Sequence, residues 1–352
     1  MCDEGASVMR RGWKILLAIS LALVAMIWSL PTARAAKTAE NNVGYSVRPV
    51  LPANQITKQV SYFDLRVKPG QTQRLQVVVA NTSNRSQKFQ ISVNQAVTNN
   101  NGVIDYSQRN PKRDSSLKVG IADIFAKGTA QTVTIPANGQ KQISLSYTMP
   151  AKKIRGIILG GIYVAQLNPE NAKSDGQIMV KNAFAYAIGL SLQEGTTVKP
   201  DLRLDRVATA QINARNYVTA NLQNFQPGIL QKLTVNARVT KAGSNQTLLS
   251  QKQGQMGMAP NSNFNFGIPW GNESLVAGNY TLYLTAKSGD QQWQFVRNFA
   301  INGPTIKRLN RHALTPTQPN YLLYLLLLLL IVILLAVIGY LIYRNRHTPD
   351  TK

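Results

Sequence analysis

The chain has 352 residues, of which 39 are Lys or Arg and 15 are Asp or Glu, so its formal net charge is +24. Its single cysteine, Cys2, excludes an internal disulfide and a thiolate zinc site, and His312 and His347 are its only imidazoles. A chain this basic first suggests a nucleic-acid partner. Whether that suggestion holds depends on whether the basic residues lie inside or outside the cell.

The N-terminal segment has the layout of a secretory signal peptide. Three basic residues precede an apolar run over residues 15–30, and a small-residue triplet ends at Ala35. We therefore expect residues 1–35 to be cleaved, with translation starting at Met1 or Met9. The alternative is a short membrane anchor, but the run is shorter than a membrane span usually needs.

Residues 37–199 are predicted to form a first β-sandwich. Apolar and polar residues alternate in short runs, which is the period of a strand with one buried face. Pro-Gly turns separate these runs, in the rhythm of an immunoglobulin-like domain. The clearest runs are Leu75, Val77 and Val79, then Phe89, Ile91 and Val93, then Ile143, Leu145 and Tyr147.

One segment of this domain combines side chains that suit sugar recognition. Asn99, Asn101, Asp105 and Tyr106 bring amides, a carboxylate and a ring together, and Tyr62 adds a second ring next to another aromatic residue. These five are the sugar-recognition candidates of the first domain. The competing interpretation, which the pattern favours, is that Asn101 and the glycine after it form a hairpin turn.

Residues 200–302 repeat the alternation and predict a second immunoglobulin-like sandwich. Four residues in a stretch rich in Met, aromatic residues, Gly and Pro are candidates for binding a protein partner: Met256, Met258, Asn261 and Trp270. Packing in the core is the alternative for this stretch, and the sequence does not decide between the two.

The C-terminal part predicts a membrane anchor. Residues 303–320 are polar and Pro-rich, as in a stalk, and 321–343 form an uncharged stretch long enough for one transmembrane helix. Two arginines open the tail 344–352, which places this tail in the cytoplasm by the positive-inside rule. The basic excess of residues 37–320 then lies outside the cell, which argues against nucleic acid as a partner and favours anionic surface polymers.

The residue types argue against an enzyme. Neither predicted domain contains His or Cys, so catalysis would require a carboxylate pair, as in a wall or polysaccharide hydrolase, or a Ser-Lys arrangement. No nucleophile elbow, phosphate loop or calcium loop occurs, and no cofactor or metal is predicted. The sequence therefore predicts an all-β, non-catalytic binding protein.

Several longer segments carry a resemblance to a known family. In the first domain they are 45–49 (YSVRP), 51–55 (LPANQ), 62–71 (YFDLRVKPGQ), 101–106 (NGVIDY) and 156–162 (GIILGGI). In the second they are 200–202 (PDL), 221–224 (NLQN), 258–262 (MAPNS) and 277–280 (AGNY). These segments resemble, in order, the two domains of the WxL-interacting proteins of Gram-positive bacteria.

The resemblance implies a membrane-anchored member of a cell-surface complex. Its first domain would bind peptidoglycan, which makes the five sugar-recognition candidates of that domain the candidate wall-binding residues, and its second would bind WxL-domain surface proteins or host matrix proteins. The basic charge of the first domain adds teichoic acid as a further anionic partner. Two alternatives stay open: a host-matrix adhesin with incidental wall contact and, more remotely, a hydrolase. The resemblance assigns no binding role to individual residues.

Overall fold

The computed structural model describes residues 43–125, 130–167, 184–271, 273–311 and 321–346. The predicted signal peptide and both histidines lie outside these residues. The described part is mostly β-strand, as the sequence predicts, and its strands form two sandwiches.

A three-stranded and a five-stranded sheet form the first sandwich. Its strands in chain order are β1 (Tyr45–Val50), β2 (Phe63–Arg66), β3 (Thr72–Asn81), β4 (Gln87–Gln95), β5 (Val97–Thr98), β6 (Ile104–Asp105), β7 (Gln131–Ile135), β8 (Gln140–Thr148), β9 (Ile157–Leu167) and β10 (Ala185–Gln193). The small sheet has the order β1-β3-β8 and the large sheet β2-β10-β9-β4-β7. Neighbours are antiparallel, except that β2 and β10 are parallel. Strands β5 and β6 form a separate hairpin.

The core of the first sandwich confirms the predicted alternation. All nine residues of the three alternating runs are buried, because every second side chain of a strand points to the same face. Tyr45 of β1 packs against Phe89 of β4 with ring centroids 4.9 Å apart, so the two sheets meet through aromatic side chains. Helix α1 (Ile121–Ile124) supplies two further buried residues from the long connection between β6 and β7.

Two consecutive glycines in β9 let other elements approach this strand. A Cβ atom on Gly160 would lie 2.5 Å from the side chain of Ile121, and one on Gly161 would lie 2.7 Å from the ring of Tyr106. Both distances are shorter than carbon atoms tolerate, so any larger residue would displace its neighbour. Glycine within a strand marks either a bulge or a close approach of another element, and here it allows a close approach.

The second sandwich has a three-stranded sheet, β11-β12-β15, and a four-stranded sheet, β14-β13-β16-β17. Its strands are β11 (Leu202–Ile212), β12 (Arg215–Asn224), β13 (Leu230–Lys241), β14 (Thr247–Met258), β15 (Ser262–Pro269), β16 (Gly278–Ser288) and β17 (Gln291–Ile301). All pairs are antiparallel. Aliphatic residues from both sheets, together with Trp270 and Tyr280, fill one continuous core.

The first part of the predicted stalk is a helix that packs on the second sandwich. Helix α2 (Gly303–Arg311) has a proline in its first turn, where a missing N–H is tolerated. Leu309 is buried in the core of the second sandwich and Ile306, three residues earlier on the same face, packs against that core. The apolar spacing within a polar segment thus ties 303–311 to the domain; 312–320 lie outside the described residues.

Helix α3 (Tyr321–Arg346) occupies the predicted membrane segment. Residues Tyr324–Leu341 have a mean hydropathy of 3.0, and this is the one helix in the described part that is long and apolar enough to cross a membrane. Its length and composition make it a candidate membrane span.

Candidate functional site

The hairpin β5-β6 docks on the second sandwich instead of projecting into solvent. The side-chain oxygen of Asn99 accepts hydrogen bonds from the backbone N–H groups of Asn101 (3.0 Å) and Val103 (3.1 Å), which closes the turn. The carbonyl of Asn101 accepts from the amide of Gln253 (2.9 Å), and that of Gly102 accepts from the backbone N–H of Gly257 (2.8 Å). Two of the candidate wall-binding residues, Asn99 and Asn101, thus shape a turn and an interface.

Asp105 also makes local hydrogen bonds. One carboxylate oxygen accepts from the backbone N–H of Ser107 (2.8 Å) and the other from the side-chain amide of Gln108 (3.1 Å). Burial alone would raise the pKa of Asp105, but these bonds from Ser107 and Gln108 lower it below its ordinary value. The carboxylate is therefore ionised at neutral pH and holds the chain that follows the hairpin.

The other two candidates, Tyr62 and Tyr106, converge on one groove. The Tyr106 ring lies against Gly161 of β9, and both tyrosines reach Gly189 of β10, where a Cβ atom would lie 3.6 Å from Cβ of Tyr62 and 3.9 Å from the Tyr106 hydroxyl. Tyr62 is 41% exposed, whereas Tyr106 is partly buried. We call this concavity, of about 500 Å³, the tyrosine groove.

The tyrosine groove lies on the outer face of the five-stranded sheet. The inward residues of β10, Ile188, Leu190 and Leu192, are buried in the core, so the residues between them face outward. The wall of the groove contains three of these outward residues: Ala187, Ser191 and Gln193. The first sandwich also contributes Ser61, Asp64, Ile104, Ile157 and Leu159, and the second sandwich contributes Ile229 and Gln231.

Polar groups in the tyrosine groove are held in place by one another. The carboxylate of Asp64 accepts from the Gln193 side-chain amide (3.1 Å) and from the Thr57 hydroxyl (3.0 Å). Burial first, and the Tyr62 phenol second, raise the pKa of Tyr106, so its hydroxyl keeps its proton at neutral pH. Ring faces beside a carboxylate, amides and hydroxyls can stack on the apolar face of a sugar and bond to its hydroxyl groups.

The candidate partner-binding residues of the second sandwich lie inside the protein. Met256 and Met258 are 2% and 0% exposed and belong to the core, and Trp270 packs edge-on against Tyr280 while donating its indole N–H to the carbonyl of Ser274 (3.0 Å). They form no exposed patch, because the alternation of β14 turns both methionines inward. Met256, Met258 and Trp270 are therefore core residues, which is the alternative that the sequence left open.

Asn261 is buried at the junction of the two sandwiches. Its side-chain amide donates to the carbonyls of Ser116 (3.1 Å) and Phe225 (3.0 Å), and its backbone has a positive φ of 49°, which asparagine tolerates better than most residues. Asn261 therefore joins the loop before α1 to the second sandwich.

The junction has further polar contacts that sequence reasoning missed. Asp114 accepts hydrogen bonds from the side-chain amides of Gln223 (2.6 Å) and Asn263 (2.5 Å) of the second sandwich, and the hydroxyls of Thr98 and Ser262 are 2.6 Å apart. An apolar cluster formed by Ala96, Leu159 and Ala259, with neighbours from both sandwiches, adds to this contact. These residues are far apart in sequence and none belongs to a motif, so only the fold brings them together.

No group of three or more His, Cys, Asp or Glu that could hold a metal ion occurs among the described residues. The tyrosine groove and a larger cavity at the junction are lined by aliphatic side chains together with amides and hydroxyls; the groove adds two tyrosines and one carboxylate, and the junction cavity adds several charged groups. Their chemistry fits binding of a polar ligand.

Two family models match the chain. One, described as "WxL Interacting Protein, peptidoglycan binding domain", matches residues 45–166, and another, described as "WxL Interacting Protein, host binding domain", matches residues 175–311. Together they cover more than half of the chain. The second match begins before β10, although β10 pairs with strands of the first sandwich. No curated protein matches the chain.

Solved structures similar to the chain include fimbrial chaperones and PapD-like domains. "Chaperone-tip adhesin complex is vital for synergistic activation of CFA/I fimbriae biogenesis" is 14% identical, with 72% of this chain and 97% of that chain covered and a TM-score of 0.28. "ASH / PapD-like domain of human CEP192 (PapD-like domain 7)" is 13% identical, with 48% and 99% covered and a TM-score of 0.28. "Salmonella enterica SafA pilin in complex with the SafB chaperone (Type I)" is 12% identical, with 66% and 99% covered and a TM-score of 0.26.

Proposed function

Because this chain belongs to the WxL-interacting protein family, we propose that it is a non-catalytic, membrane-anchored surface protein that binds peptidoglycan through its first sandwich. The observation that carries the proposal is the match of residues 45–166 to a peptidoglycan-binding domain, since this range contains both rings of the tyrosine groove. Peptidoglycan glycan strands present the alternation of apolar ring faces and polar substituents that such a groove accommodates.

Tyr62 is the residue that we propose to stack on the glycan. Its ring is the most exposed aromatic side chain of the groove, and the Tyr106 ring lies against Gly161 in the same groove. Asp64 and Gln193 stand ready to bond to sugar hydroxyls, because their mutual hydrogen bond uses only part of their capacity. A fixed ring beside positioned polar groups loses little conformational freedom when a ligand binds.

The second sandwich is proposed to bind protein partners. The description of the model that matches 175–311 names host binding, which favours a host surface protein as one class of ligand, and the family name favours WxL-domain proteins as the other. Helix α3 would hold both sandwiches at the outer face of the membrane, with Arg344 and Arg346 on the cytoplasmic side.

Teichoic acid is proposed as a secondary partner on the basis of charge. Residues 37–199 contain 20 Lys and Arg against 8 Asp and Glu, whereas residues 200–306 contain 9 against 4. The positive excess is therefore concentrated in the sandwich that would meet the wall, whose phosphate polymers are anionic.

Co-sedimentation tests the proposal. The full chain, purified in detergent, is mixed with insoluble peptidoglycan from a Gram-positive bacterium from which teichoic acids have been removed. The proposal expects the chain to sediment and no soluble muropeptide to be released. A chain that stays in the supernatant would refute peptidoglycan binding, and release of soluble fragments would instead indicate a hydrolase.

A further inference from the structure

A second and larger cavity lies where the two sandwiches meet. It has a volume of about 790 Å³, within the range of small-molecule sites. Its walls come from the loop 107–120 and β5 of the first sandwich and from β11, β12 and the loop before β15 of the second. None of the residues predicted from sequence to bind the wall lies in it, so it is distinct from the tyrosine groove. We call it the junction cavity.

The floor of the junction cavity contains an acceptor that lacks a donor. Gln223 is 1% exposed, and its amide nitrogen donates to Asp114 and lies 3.4 Å from the hydroxyl of Ser115. Its side-chain oxygen accepts no hydrogen bond within the described part of the chain. This oxygen has less than 1 Å² of accessible surface, so a donor from a ligand in the cavity reaches it only after a neighbouring side chain moves aside.

The amide of Gln223 is oriented by its neighbours, which identifies the free atom as the oxygen. The two carboxylate oxygens of Asp114 act as acceptors toward all of their partners: they accept from Gln223, from Asn263 and from the backbone N–H and hydroxyl of Ser116. Because a carboxylate that takes four donors requires the nitrogen of Gln223 to face it, the oxygen must face the other way.

Cations surround the opening of the junction cavity. Arg109, Lys112 and Arg206 are exposed and line it, and none of them forms an ion pair with a described carboxylate; the two ion pairs of the described residues are Arg113–Asp123 and Arg203–Asp205. Arg109 makes only a long hydrogen bond to Gln90, at 3.4 Å. Asp114 and Asp205 line the same cavity, but Asp114 accepts four internal hydrogen bonds and Asp205 pairs with Arg203, so the three unpaired cations favour an anionic ligand.

Apolar side chains complete the wall and narrow the ligand class. Ala96, Val97, Pro111, Ile121 and Phe125 line the cavity beside its amides. A polyol phosphate has hydroxyl groups and charge, but it has no apolar group to pack against these apolar side chains. An acylated sugar that carries a carboxylate and a short peptide has methyl groups, N–H donors and the anion together.

We propose that the junction cavity binds a soluble, carboxylate-bearing wall fragment of the muramyl-peptide class. Its carboxylate would meet Arg206 and Lys112, and an amide or hydroxyl donor would reach the oxygen of Gln223 once a neighbouring side chain has moved aside. The inference rests on the proposed wall-binding function only for the source of the ligand. Since residues of both sandwiches line the cavity, a bound fragment would connect the two domains.

Calorimetric titration of the full chain in detergent with muramyl dipeptide tests the proposal. Saturable binding is expected, weakened by at least about fivefold in Arg206→Gln and in Lys112→Gln, because each variant removes one cation from the mouth of the cavity. Arg48→Gln and Lys141→Gln are the matched controls, since both residues are exposed in the first sandwich and away from the cavity. Gln223→Met tests the floor, with its unfolding temperature recorded to separate lost binding from lost folding.

Two further probes test the ligand class. An N-acetylglucosamine trimer has the acyl group without the carboxylate, and glycerol phosphate has the anion without the acylated sugar. Binding of either as tightly as muramyl dipeptide would overturn the proposal, as would equal affinity in the rim variants and their controls. If the dipeptide fails to bind while insoluble peptidoglycan still sediments the chain, the inference fails and the proposed function stands. If neither binds, both fail.

Discussion

Replacement of Asp114 by alanine should weaken the contact between the two sandwiches and so lower the stability of the protein. This carboxylate is 9% exposed and lies in the loop before α1, yet two of its partners, Gln223 and Asn263, belong to the second sandwich. Asp114→Ala removes the acceptor and leaves both amide groups without their partner. The perturbation thus acts on the junction without touching either core.

The expected loss follows from these two contacts. A hydrogen bond to a charged group contributes about 1.5 to 3 kcal/mol, and leaving a buried donor without a partner costs about 1 to 3 kcal/mol. The bonds from Ser116 and from Asn263, which is an exposed residue, can be replaced by water, so the buried amide of Gln223 accounts for most of the loss. We therefore expect Asp114→Ala to lower the free energy of unfolding by about 2 to 4 kcal/mol.

Urea unfolding of the chain truncated after residue 320 measures this loss. Asp205→Ala is the matched control, because Asp205 lines the same cavity but is exposed and paired with Arg203. An exposed ion pair contributes about 0 to 1 kcal/mol, so the control should change little. A loss below about 1 kcal/mol in Asp114→Ala would refute the assignment of this carboxylate as a main contact of the junction.

Three other expectations follow from the described contacts. Burial raises the pKa of Tyr147 from 10.0 to about 12, so the stability that its neutral hydroxyl contributes is complete below pH 10 and is lost as the pH rises toward about 12. In urea titrations at about pH 9 and about pH 11, Tyr147→Phe should therefore lose less stability at the higher pH than the wild type does. An equal loss in both proteins would contradict this expectation. Met258→Ala should lower the free energy of unfolding by about 2 to 5 kcal/mol because Met258 is fully buried, and a loss below about 1 kcal/mol would contradict its place in the core. Binding to wall that retains its teichoic acid should weaken between low salt and about 0.5 M salt, where charges are screened within a few ångströms; unchanged sedimentation would assign the basic excess to solubility alone.

The strands of this protein follow from local patterns. Leu75, Val77 and Val79 alternate with polar residues and are buried in β3, because a strand in a two-layer sandwich has one inward face. The uncharged stretch that becomes α3 needs only its length and composition to be recognised. These features depend on near neighbours in the chain, which a sequence displays directly.

Roles that depend on distant neighbours were harder to predict. Met256 and Met258 stand in a stretch rich in Gly and Pro, which suits a loop surface as well as a core, and the pairing of β13 with β14 decides for the core. The Asn99 segment has the chemistry of a sugar site, yet its turn is covered by the second sandwich. Local composition does not say which surface another domain covers.

The tyrosine groove lies between these two cases. The chemistry of Tyr62 and Tyr106 is visible in the sequence, but the two rings meet over Gly161 and Gly189 only because β2, β9 and β10 share one sheet. The glycines were the available signal: small residues at outward positions of neighbouring strands leave space that a ring from elsewhere can fill. No comparable signal in the sequence indicates the contact between Asp114 and Gln223, which are 109 residues apart.

The most direct test of the account is the affinity of Tyr62→Ala for insoluble peptidoglycan freed of teichoic acid. We expect the dissociation constant, measured by co-sedimentation, to rise at least about fivefold, or about 1 kcal/mol, because the exposed stacking face is lost. Tyr283→Ala, which removes a ring from the outer face of the second sandwich where it packs under Arg238, should bind as the wild type does. Equal affinity of Tyr62→Ala and wild type would contradict the claim that the tyrosine groove is the peptidoglycan site.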